Sequence, residues 1–143
     1  QVIKINNYQK NCFAQKIINA FDHNLTGKKI TILGWSFKPN TNDSRESPAI
    51  HIAEKLIRAG AILDIFDPMV SNDRILTDIK KNWKNSNKKL VSSKSIKILT
   101  NLSEIDQNSK AVAVLTEWED FKKIDFSKFK FFEARNFIRT SNS

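Results

Sequence analysis

The stretch Gly34-Trp35-Ser36-Phe37-Lys38-Pro39-Asn40-Thr41-Asn42-Asp43-Ser44-Arg45-Glu46-Ser47 holds the side chains with the clearest chemical use. Lys38 and Arg45 place two cations on one polar segment. An ammonium is a compact point charge, and a guanidinium is a planar fork of donors that matches phosphate or carboxylate. Ser47-Pro48 follows directly. Serine caps the open amides of a first helical turn, and proline suits the first helical position. A helix amino terminus is therefore expected beside the loop, with partial positive charge and free N–H groups. Together these parts make a candidate anion site. The rival reading is a loop whose charges pair internally, Arg45 with Asp43 or Glu46, and exposed pairs of that kind contribute little.

The other reactive residue types form no constellation. Gly34 stands alone, so the loop is not a dinucleotide fingerprint with glycines for close pyrophosphate approach. His23 and His51 fall on expected helices, with no Cys/His/Asp cluster at metal-ligand spacing. No catalytic residue and no metal ligand is assigned. Glu117 reads as a favourable partner for a helix dipole rather than a general acid. Trp118 and Phe121 read as packing residues, with a weaker possibility of stacking on a base. Cys12 is the only cysteine, so no intrachain disulfide forms; it sits in an apolar-periodic segment and reads as a small buried hydrophobe.

These residues need elements to position them. Apolar positions recur at helical spacing over residues 2–23, which predicts one helix closed at Leu25-Thr26-Gly27. Lys29–Leu33 reads as a buried β-branched strand ended by Gly34. A helix from Ser47-Pro48 has Ile50, Ala53, Leu56 and Ile57 as its inner face and Gly60 just past its end. Residues 62–66 form a second strand, broken by Asp67-Pro68. Strand, helix and strand make a right-handed parallel βαβ unit. Residues 78–97 are rich in lysine and read as a solvated insertion or surface helix, poorly ordered in part. Residues 96–99 read as a short strand and 102–106 as a short helix. Residues 111–115 are a buried strand, after which Thr116 is expected to cap a helix starting at Glu117. Residues 130–132 close the pattern as a last strand. The fold class is α/β: an open parallel Rossmann-like sheet with helices on both faces. Ligands of such sheets bind at the carboxyl ends of the strands, where the loop at 34–47 lies.

The bulk composition narrows the partners. The chain has 143 residues, enough for one compact domain. Its net charge is +9, carried by 19 lysines and only 5 arginines, beside 15 asparagines. That bias points to a solvated lysine-rich surface rather than arginine-based reading of nucleic acid. Neither a membrane span nor a secretory signal is visible, and one cysteine fits a reducing, cytoplasmic setting. Gln1 begins inside an amphipathic pattern, as expected of a piece of a longer protein.

The run from Ile32 to Ala49 resembles the core motif of the carboxyl-terminal domain of the UDP-glucose/GDP-mannose dehydrogenase family. Asp67-Pro68 after the second strand is similar to the same family. Ile5-Asn6-Asn7-Tyr8-Gln9 looks like the end of its long helix between central and carboxyl-terminal domains. Thr116-Glu117-Trp118-Glu119-Asp120-Phe121 looks most like the UDP-glucose branch. The resemblance implies residues 1–24 as the end of that connecting helix and 25–143 as a UDP-binding domain. It implies a whole enzyme that oxidises UDP-glucose to UDP-glucuronate with two NAD+, as a homodimer. NAD and the nucleophilic cysteine would then lie in parts outside this chain, Cys12 would not be that nucleophile, and the chain alone would be inactive. By motif position Phe37, Lys38 and Arg135 would contact the UDP-sugar, and Arg45 would face NAD. The family commonly ends its last strand in Asp-Gly-Arg where this chain has Glu133-Ala134-Arg135. Alternatives are a relative acting on GDP-mannose or a UDP-N-acetylhexosamine, or a non-catalytic nucleotide-binding module on the same scaffold.

Overall fold

A computed structural model describes residues 7–89, 91 and 94–134. Five strands form one sheet: β1 (Lys29–Leu33), β2 (Ile62–Phe66), β3 (Ile96–Ile98), β4 (Ala111–Val114) and β5 (Lys130–Glu133). Their order is β3-β2-β1-β4-β5, and every pair is parallel. The chain first steps from β1 outward to β2 and β3, then returns across to β4 and continues to β5. The reversal falls between β1 and β4, which makes a topological switch point at their carboxyl ends.

Alternation along the strands divides the core. Ile30 and Ile32 of β1 and Ala111 and Ala113 of β4 face α1 (Asn7–Asn19), α2 (Pro48–Arg58) and α3 (Asn72–Asn82). Leu33, Val112 and Val114 face the other way, onto Phe66, Leu99, Trp118 and Phe121. The α-helices thus cover one face. The second is covered by short 3₁₀ helices at Leu102–Glu104, Glu119–Lys123 and Phe126–Lys128.

Local rules explain α2 well. The Ser47 hydroxyl accepts from the Ala49 N–H, and Pro48 takes the first turn. Ile50, Ala53, Leu56 and Ile57 are all buried, as expected. Gly60 follows with φ +99°, a conformation that favours glycine. The first helix ends earlier than expected. It ends at Asn19, and Asp22 and His23 turn the chain with positive φ before Gly27 is reached. Cys12 is half-buried on α1 rather than fully enclosed.

The segment after Val70 departs most from expectation. It forms α3, capped by the Ser71 hydroxyl on the Arg74 N–H. Ile75 and Ile79 are buried, and Trp83 seats its indole N–H on the Ile50 carbonyl at 2.8 Å. The lysines lie on the outer side of this anchored helix. A short α4 (Asn85–Lys88) follows. The Glu117 helix is also displaced: a 3₁₀ helix starts at Glu119, and Thr116 does not cap it. Among the described residues no helix is long and apolar enough to cross a membrane.

The lower part of the second face carries a buried charge. Asp64 is 2% exposed and lies 3.5 Å from the Lys29 ammonium, which also holds Asp106 at 2.9 Å. Burial pushes the Asp64 carboxyl above its usual range, against the pull of Lys29. Ionising a group so shifted costs the folded state more than the unfolded one. Its contribution to stability is present below the ordinary carboxyl pKa and is lost as pH rises through the raised value. Asp64→Asn removes that titration. Thermal melts should show the variant gaining on the wild type as pH rises from the ordinary carboxyl range towards neutrality. A difference that stays flat or shrinks over that range contradicts the assignment.

Candidate functional site

The loop after β1 meets the turn after β2 and the turn after β4 at the switch point. Asp67 binds them together. Its Oδ2 accepts the N–H groups of Trp35 (2.7 Å) and Ser36 (2.8 Å), and its Oδ1 those of Met69 (2.8 Å) and Val70 (3.0 Å). Three of these bonds, those from Trp35, Ser36 and Val70, are buried, and their donors would otherwise lack partners away from water. Gly34 lets the third segment approach. Its φ is +98°, and a Cβ there would meet the Cβ and the backbone N of Thr116 at 2.6 Å. The Thr116 hydroxyl donates to the Ser36 carbonyl at 2.6 Å, so the expected helix cap is a loop tie.

A second carboxylate holds the far side of the loop. Asp78 on α3 accepts the Trp35 indole N–H at 3.0 Å and the Ser44 hydroxyl at 2.6 Å. Arg74 sits one turn earlier on α3, with its Nε 3.2 Å from Asp78 and 3.0 Å from the Ser44 hydroxyl. Trp35 and Ser44 are both fully buried. The Phe37 N–H donates to the Asp43 carbonyl at 2.7 Å and narrows the base of the loop. Residues 38–40 are left as an exposed crest, with Asn40 at φ +66°.

The expected site residues fall as follows. Phe37 is half-buried at the base of the crest, and Lys38 is exposed upon it. Arg45 is 78% exposed and pairs with Asp43, its Nε on Oδ1 and its Nη2 on Oδ2 at 3.1 Å each. Of the two carboxylates considered as partners, Asp43 is the one taken. The pairing holds the Asp43 carboxyl below its usual range, chiefly through the Arg45 side-chain hydrogen bond, and raises Arg45. Arg135 lies outside the described residues. Its predecessor Ala134 follows β5 at the same sheet edge; it is buried, and its φ is not positive, so this position does not call for glycine. His51 is exposed on α2 and His23 in the turn after α1. Among the described residues no group of His, Cys, Asp and Glu could hold a metal ion.

A groove of about 650 Å³ runs between Asp43 and Arg45 on one side and Met69, Ser71 and Arg74 on the other. Sequence reading singled out Asp67-Pro68 without giving the carboxylate a role, and missed Asp78 and Arg74 as parts of this site. Asp67-Pro68 was legible as a strand breaker, and an aspartate at a strand's carboxyl end is the available signal for that role. Nothing local signals that α3 returns to the loop.

A profile of the UDP-glucose/GDP-mannose dehydrogenase family, UDP binding domain, matches residues 31–142. The chain belongs to this family. Among the family's dehydrogenases, UDP-glucose 6-dehydrogenase 3 of Oryza sativa subsp. japonica is 36% identical over 135 residues, covering 90% of this chain and 28% of the relative. UDP-glucose 6-dehydrogenase 1 of Arabidopsis thaliana is 35% identical over 136 residues, with the same coverage of each. This UDP-binding domain thus spans a little over a quarter of the length of those curated relatives. A UDP-glucose dehydrogenase from the archaeon Pyrobaculum islandicum shares the fold, with a TM-score of 0.70 over 90% of this chain and 26% of that one, at 22% identity. A GDP-mannose dehydrogenase from Pseudomonas aeruginosa aligns at 27% identity and a TM-score of 0.54, over 85% of this chain and 27% of that one.

The four-bond acceptor predicts a specific failure. Asp67→Asn keeps one acceptor oxygen and turns an NH₂ group towards two N–H donors. Denaturant unfolding should show a loss of about 3 kcal/mol, from hydrogen bonds to a charged group worth about 1.5–3 kcal/mol each. Amide exchange should quicken at Trp35 and Ser36 or at Met69 and Val70. Unchanged stability with unchanged exchange contradicts the role given to Asp67.

Proposed function

We propose that this chain is the UDP-binding part of an NAD-dependent UDP-glucose 6-dehydrogenase. The observation that carries this reading is the hydrogen-bonded loop at the switch point, which lifts Lys38 beside Phe37 at the edge where open α/β sheets bind ligands. The similarity to two UDP-glucose 6-dehydrogenases supports the same substrate.

In this reading Lys38 meets the diphosphate or sugar of the UDP-sugar, Phe37 packs against it, and Arg135 approaches from the end of β5. The chemistry suits the groups: an ammonium for phosphate, a ring for an apolar ring face. Arg45 faces NAD across the cleft. An exposed guanidinium on the wall of an open groove fits that role, since its pair with Asp43 is solvated and costs little to exchange. NAD supplies the hydride acceptor when bound. Residues 1–24 would form the end of a connecting segment from a preceding domain, with α1 as its helical part, and the whole enzyme would be a cytoplasmic homodimer. Alone, the chain binds UDP and does not turn over substrate.

A second substrate is a GDP-sugar, suggested by the similarity to the Pseudomonas GDP-mannose dehydrogenase. Calorimetric titration of the chain with UDP and with GDP distinguishes the two. UDP should bind more tightly, and Lys38→Ala should weaken it roughly tenfold, the scale of one lost charge-assisted bond. Equal binding of GDP, or no effect of Lys38→Ala, counts against this reading.

A further inference from the structure

A second concavity, of about 410 Å³, lies away from the loop, among α1, α2 and the start of α4. Lys10 enters it from α1, His51, Lys55 and Arg58 from α2, and Lys84 from just before α4. Glu54 is the one carboxylate in its lining, and its Oε2 is already engaged by the Lys84 N–H at 2.8 Å and the Asn87 amide at 2.9 Å. Among the described residues, none of the four lysine and arginine side chains pairs with a carboxylate. Lys55 instead donates to the Asn11 carbonyl at 3.4 Å.

These cations converge from three elements on a concave wall, where fields add and screening is weaker. Repulsion is visible where Lys10 faces His51. Burial lowers Lys10, with the Glu46 charge opposing, and partial burial together with the nearby Lys10 charge lowers His51, with Glu54 opposing. An anion entering the groove relieves this repulsion. The volume is that of a small-molecule site rather than a flat protein interface, and an arginine fork among ammonium groups suits phosphate.

We propose that the groove among α1, α2 and α4 binds a small phosphate-bearing anion, at a site separate from the Lys38 loop. The proposal does not depend on the UDP reading, and failure of UDP to bind would leave it standing. Its probe is inorganic pyrophosphate at low ionic strength, followed by calorimetry and by amide chemical shifts. The variant is Arg58→Gln with Lys84→Gln, two exposed positions outside the loop, with its melting temperature compared to the wild type. Should that pair unfold the chain, Lys10→Gln alone carries the same test. Pyrophosphate should shift amides of α2 and α4, bind more weakly as salt is added, and lose roughly tenfold in affinity in the variant. No binding by the folded wild-type chain, affinity unchanged in the variant, or shifts confined to residues 36–46 would each overturn the proposal.

Discussion

One carboxylate, that of Asp67, takes four backbone N–H groups from the two segments that leave β1 and β2. A parallel sheet ends each strand with donors and acceptors that its ladder no longer satisfies. Here the same side chain satisfies both segments, so neither can move without uncovering the other. Asp78 repeats the device from outside the sheet, holding the indole of Trp35 and the hydroxyl of Ser44. Thr116 adds the third tie, close enough only because residue 34 has no side chain. The exposed crest at Lys38 is therefore short and carried on a buried base. Its cation emerges from a fixed place, which lowers the ordering cost of binding.

Fold and site were unequally legible in the sequence. β1, β2 and β4 could be read because buried parallel strands are continuous apolar runs bounded by turn residues. α2 could be read because Ser47, Pro48 and Gly60 mark its ends by local chemistry. α3 could not, since its inner face is two isoleucines and a buried aspartate, and its stabilising partner Trp83 lies just beyond it. Thr116 was misread for a related reason. A threonine before a helical pattern looks like a cap, and only the tertiary approach of Ser36 shows its other use. The choice between Asp43 and Glu46 for Arg45 also needed geometry. Asp43 accepts both the Arg45 N–H and its guanidinium, while Glu46 turns the chain with φ +58°.

The loop carries its two cations in different states. Lys38 stands on the crest, and Arg45 is held against Asp43 in an ion pair open to solvent. Such a pair fixes a side chain without committing much free energy to it. A ligand or a facing domain that offers a better-placed anion can take the guanidinium over. Arg74 is the opposite case, because its pair with buried Asp78 also supports Ser44 and hence the loop. Two arginines on one groove thus serve different ends, one available and one structural.

The central claim is that the switch-point loop is where the nucleotide binds. Titrating UDP into isotope-labelled chain while following amide chemical shifts tests it most directly. The claim predicts the largest shifts at residues 36–46, with smaller ones after β4 at Thr116–Trp118. Shifts concentrated on the helical face, with residues 36–46 unmoved at saturating UDP, would contradict it.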